Sequence, residues 1–120
     1  MIVSRSCKPV EPAVLSVTQV QAGEAINVIP DKATLQGTVR TFSIETLDLI
    51  EHQMKKLSTE LCAAFGAKAQ MTFERKYPPT INTPEMAALA KAALETLPET
   101  ESVHSNLQPT MGAEDFAFML

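Results

Sequence analysis

The stretch ATLQGTVRTFSIETLDLIEHQMKKLSTELCAAFG, residues 33–66, decides the fold, because its hydrophobic period changes once, at Ser43. Over 33–42, Leu35 and Val39 alternate with Gln36, Thr38 and Arg40, the two-residue period of a half-buried strand, which turns Arg40 to the polar face. Ser43 carries the small hydroxyl that satisfies an orphan amide at a helix start. Leu47, Ile50, Met54, Leu57, Leu61 and Phe65 then recur at three- and four-residue steps until Gly66, a residue suited to ending a helix. Asp48, Glu51, His52, Lys55 and Glu60 occupy the opposite face, so the helix is amphipathic and needs a sheet or another helix to cover it.

Upstream, 14–20 is rich in β-branched residues and runs into Gln21-Ala22-Gly23, a strand leading to a loop that carries Asn27 and closes with the turn chemistry of Pro30-Asp31. Downstream, 68–77 alternates, with Ala69, Met71, Phe73 and Tyr77 on one side and Lys68, Gln70, Thr72, Glu74 and Lys76 on the other, which predicts a third strand. Pro78-Pro79 ends it. Thr83-Pro84-Glu85 supplies a cap, a proline at the first helical position and an early acid, so a second helix follows, closed by Pro98. Its stripe of Met86, Leu89, Ala90, Ala93, Leu94 and Leu97 must pack on something.

Composition narrows the function. Of 120 residues 45% are hydrophobic and 20% charged, which is the range of a globular chain with one modest core. The net charge is −4 with no Lys/Arg-rich run, so the clustered positive charge that holds a phosphate backbone is lacking and nucleic acid is not an expected partner. No apolar run approaches the roughly 20 residues of a membrane span, and the N-terminus lacks a charged region followed by an apolar one, so no membrane partner and a cytoplasmic location are expected. Cys7 and Cys62 have no metal or redox spacing and read as free thiols, Cys62 among the apolar positions of its helix. His52 and His104 are isolated, and a zinc site needs three or four convergent ligands, so no metal is expected on these residues. Met54, Met71 and Met86 read as core.

Candidate site residues lie in GEAINVIPD (23–31) and GTVR (37–40). Asn27 offers an amide that can donate and accept, and Arg40 a planar fork matched to a carboxylate, at neighbouring turn and strand positions. With GTVRTF (37–42), MGAEDF (111–116) and the softer match YPPTIN (77–82), these blocks resemble the zinc amidohydrolase and peptidase family of hippurate hydrolases, N-acyl-amino acid amidohydrolases and G-type carboxypeptidases, over nearly the whole chain. The resemblance implies an α+β fold. Residues 1–79 would be a ferredoxin-like lid, or dimerisation, domain lacking its first strand and most of its first helix, and 80–120 a piece of the catalytic domain. It also implies that Asn27 and Arg40 hold a small acyl-amino acid substrate across a homodimer interface. Met111, Gly112, Glu114 and Asp115 would form the floor of the active site in the intact enzyme. Two divalent metal ions, zinc or manganese, would serve the parent enzyme; the motifs that bind them do not occur in this chain, which is therefore expected to hold none and to be inactive alone.

The strand 68–77 is expected to pair directly with 33–42 or to borrow a strand from another copy, since the absent strand is central in the usual 4-1-3-2 order. Gly37 is expected to permit a bulge or a close backbone approach. The end of the chain, with Glu114 and Asp115, is expected to be disordered or to take an improvised position without a working role. Without the resemblance, the same residues also suit a free-standing ferredoxin-like module that dimerises through its edge strand, 14–20, or through a helix, and uses Asn27 and Arg40 to sense a small carboxylate.

Overall fold

The computed structural model describes all of residues 1–120, in two compact units, Met1–Glu74 and Arg75–Leu120. In the first unit a short helix α1 (Ile2–Ser6) leads to strands β1 (Ala13–Ala22) and β2 (Ala33–Thr41) and then to the long helix α2 (Ile44–Ala64). The strands form an antiparallel hairpin, from Ala13 opposite Thr41 to Ala22 opposite Ala33. A lone hairpin is marginal in water. Here α1 and α2 both contact it, and the apolar face at their end is partly covered: Ala13, Leu15, Val39 and Thr41 are half-buried. Toward the loop the same face is open, with Val17, Val20 and Leu35 each at least 60% exposed.

The long helix forms as its sequence dictates. The Ser43 hydroxyl accepts from the Thr46 N–H at 3.2 Å and donates to Glu45 at 2.8 Å. At the other end Gly66 takes a φ of +71°, the Gly66 N–H donates to Ala63 and the Ala67 N–H to Cys62. That pair of bonds is a Schellman motif, in which the last carbonyls are satisfied by backbone beyond the helix. Ile50 is wholly buried and Thr46 is buried one turn before it, with Met54 and Leu57 half-buried on the same side. Leu61 and Phe65, which share the apolar period, are 59% and 87% exposed, so the covered part of the stripe is its N-terminal half.

The third strand is a correction. Residues 68–74 keep alternating exposure, with Ala69, Met71 and Phe73 half-buried between exposed neighbours, yet no ladder runs along 68–77 and the sheet has two strands, β1 and β2. Direct pairing with β2 does not occur. Alternation records which side of an extended chain meets the core, whereas a strand also needs a hydrogen-bonding neighbour.

In the second unit, α3 (Pro84–Glu95) starts with Thr83 at the cap and proline at its first position, and Lys91 pairs with Glu95 at 3.7 Å. None of its residues is buried; Met86 is 62% exposed and is not a core residue. At the end of the chain Asp115–Phe118 forms a 3-10 helix with Ala117 buried, and the Phe118 ring is tilted against Tyr77, centroids 5.6 Å apart.

Candidate functional site

Asn27 sits in the ten-residue connection 23–32. Gly23 enters it at a φ of +75°, a conformation that costs a residue with a Cβ, and Pro30 lies 3.7 Å from where that Cβ would be. The Val28 N–H reaches the Ala25 carbonyl at 3.5 Å, which places Ile26 and Asn27 at the turn, both exposed. Gln21, Glu24, Val28, Pro30, Asp31 and Lys32 border an open recess that Asn27 does not line. Ile26 and Ile29 project beside Asn27, at 109% and 92% exposure.

Arg40 lies at the other end of the hairpin, opposite Val14 and exposed, on a face that also carries the exposed Thr38 and Gln36 and the half-buried Ser16. Arg40 lies seven steps along β2 from Ala33, the first residue after the loop, a rise of about 23 Å at roughly 3.3 Å per residue. The expectation of an amide and a guanidinium side by side is thus not met within one protomer. Closeness in sequence becomes distance when the intervening residues are extended.

Of the residues expected on an active-site floor, Met111 is half-buried while Gly112, Glu114 and Asp115 are exposed. Glu114 is the extended residue that caps the 3-10 helix and Asp115 is the first residue within it. Gly112 does not use the left-handed backbone available to glycine.

No three His, Cys, Asp or Glu side chains converge on a possible metal position. His52 is exposed on α2, and His104, also exposed, has its Nε2 3.1 Å from the Ser102 hydroxyl. The donor sets of a two-metal centre are therefore not met by these residues.

Sequence reasoning missed a polar cluster at the start of α2. Glu11, in the segment before β1, accepts from the buried Thr46 hydroxyl and pairs with Lys8 at 3.3 Å. These hydrogen bonds, the one from Thr46 foremost, hold the Glu11 carboxyl below its usual pKa. Glu45 is lowered as well, first by its own backbone N–H and then by Ser43. The cluster ties the 8–11 turn to the first turn of α2, where the helix dipole favours negative charge. Ser43 was legible as a cap, but nothing local points to a glutamate 35 residues away in sequence.

A family model described as Peptidase family M20/M25/M40 matches residues 6–120. Thermostable carboxypeptidase 1 of Saccharolobus solfataricus is 32% identical over 99% of this chain and 30% of its own length. An uncharacterized hydrolase of Staphylococcus epidermidis is 38% identical over 82% of this chain and 25% of its own. Among solved structures, the YXEP protein of Bacillus subtilis, described as a dinuclear metal binding peptidase from the M20 family, superposes with a TM-score of 0.71 at 37% identity, over 89% of this chain and 29% of that one. The chain thus spans about three tenths or less of the length of these relatives.

Proposed function

Since this chain belongs to peptidase family M20/M25/M40, we propose that it is the lid and part of the wall of a metal-dependent amidohydrolase that cleaves the amide bond of N-acyl or N-aroyl amino acids, as hippurate hydrolases do. The observation that carries this reading is the similarity, in sequence and fold alike, of nearly the whole chain to three tenths of a dinuclear metal binding peptidase. On this reading 1–79 is a ferredoxin-like dimerisation domain whose remaining strand comes from elsewhere, 80–120 belongs to the catalytic domain, and two divalent metals, zinc or manganese, are held by residues outside this chain. When bound, such a pair supplies a polarised carbonyl and an activated water. The chain's own contribution is recognition.

Arg40 is the group for the substrate carboxylate, since a guanidinium on an exposed strand face can meet a carboxylate with two parallel hydrogen bonds. Asn27, at the tip of an exposed loop, contacts the amide region. Because the two stand at opposite ends of one hairpin, a homodimer in which each copy offers one of them to a shared substrate accounts for both. The enzyme works in the cytoplasm.

The test compares hippurate with its methyl ester, which keeps the amide and loses the charge, using the full-length gene product. Wild type should release benzoate from hippurate with a kcat/KM at least about tenfold higher than from the ester, and Arg40→Ala should abolish that preference. An undiminished preference for hippurate in the Arg40→Ala protein would remove Arg40 from the site.

A further inference from the structure

We infer that Thr18 and Gly37 form a built-in bend that aims the Asn27 loop, with Gly37 as a positioning residue that acts through Asn27. The ladder is regular from Ala13 to Val17 and again from Gln19 to Ala22, and the register shifts between them: Val17 faces Gly37 and Gln19 faces Gln36, which leaves Thr18 as an extra residue. Its hydroxyl donates to the Gln36 carbonyl at 3.5 Å, across the gap the extra residue creates. Such a bulge bends its strand, adds right-handed twist and redirects the chain beyond it.

Gly37 is what allows the bend. A Cβ there would stand 2.1 Å from the Ser16 carbonyl oxygen and 3.1 Å from the Val17 Cα, contacts with backbone that no side-chain rotation relieves. In an unbroken antiparallel ladder facing Cβ atoms lie about 4.5–5.5 Å apart, so every position can hold a side chain. The crowding at Gly37 therefore belongs to the bulge. Everything beyond it toward the tip, four rungs and the 23–32 loop, takes its direction from that one irregularity.

The half of the hairpin beyond the bulge is also the half the helices leave uncovered, with Val20 and Leu35 at 67% and 62% exposure. No packing from α1 or α2 fixes its angle there, so the backbone itself has to. The bulge is the device present for that purpose. The importance of the aim rests on the proposed contact between Asn27 and substrate; the existence of the aim does not.

Deleting Thr18 leaves Val17–Gly37 and Gln19–Gln36 as consecutive rungs of a regular ladder. Three readouts are taken. In the 120-residue chain, Gly37→Ala should lower Tm by about 5 °C or more, and the same substitution after deletion of Thr18 should cost about 2 °C or less; equal losses in both backgrounds would show that the crowding does not come from the bulge. Backbone N–H residual dipolar couplings should show 24–29 reoriented relative to β2 in the deletion variant, and an unchanged orientation would overturn the proposal even if the Gly37→Ala chain fails to fold.

In the full-length gene product, deletion of Thr18 should lower kcat/KM for hippurate by about tenfold or more at an unchanged Tm, and adding Asn27→Ala should then cost less than about twofold. Full activity in the deletion variant alongside a damaged Asn27→Ala protein would refute positioning. An Asn27→Ala protein with wild-type turnover would instead refute the substrate-contact reading, and the couplings would still decide the bend.

Discussion

Replacing Ile50 with alanine should unfold the first unit, or come close to it. Ile50 is the one large side chain with no exposure at all, and in a chain this thinly cored it has no substitute. The change removes three carbons, about 2.4 kcal/mol of transfer free energy at roughly 0.8 kcal/mol per buried methylene. The unfilled space adds about 1 kcal/mol, since buried Ile→Ala changes fall in the range of about 2–5. A loss of about 3–4 kcal/mol corresponds to a fall in Tm of roughly 15–25 °C for a unit of this size. Leu61→Ala, on the same helix but 59% exposed, should cost less than about 1 kcal/mol. Thermal and urea melts of the 120-residue chain, followed by circular dichroism at 222 nm, give both numbers. An Ile50→Ala midpoint within about 3 °C of Leu61→Ala would refute the placement of the core on the first turns of α2.

Ser43→Ala removes the cap on Thr46 and should cost about 1 kcal/mol in a urea melt, with Ser43→Gly costing less. The folded state lowers the Glu11 pKa, so this group's stabilisation is complete above its ordinary value and is lost as pH falls through the lowered one; Thr46→Val should bring the Glu11 carboxyl back up in an NMR titration and shrink the acid-side loss of stability. A Glu11 titration unmoved by Thr46→Val would mean the hydroxyl is not its main partner. Titration calorimetry of the 120-residue chain with zinc chloride should show no stoichiometric site, because no three ligands converge; one tight site per chain would contradict that geometry.

Much of the first unit was legible because its signals are local. The cap at Ser43, the helical steps through Ile50 and the glycine stop at Gly66 each depend on neighbours within a turn, and each stands where the periodicity puts it. The bulge could have been found too. Ala13, Leu15 and Val17 keep a two-residue step, Val20 comes after three, and Ala22 resumes the step of two, a slip of one residue at Thr18.

The failures were non-local. The alternation of 68–77 identifies a buried side but not a partner strand. Leu61, Phe65 and Met86 carry the right period on surfaces that nothing in their unit covers. Glu11 reaches Thr46 only once the chain has returned on itself. Asn27 and Arg40 looked adjacent because the sequence between them is short, and an extended strand is the conformation that separates short sequences most. The family was legible from the blocks around Asn27, Arg40 and Glu114, and its model spans residues 6–120.

The most direct measurement is benzoate release from hippurate by the full-length gene product with zinc or manganese, with and without a chelator, beside the 120-residue chain at equal concentration. Chelator-sensitive release by the full-length protein and none by the 120-residue chain is the expected result. Release by the 120-residue chain alone, or no metal-dependent release by the full-length protein, would contradict it.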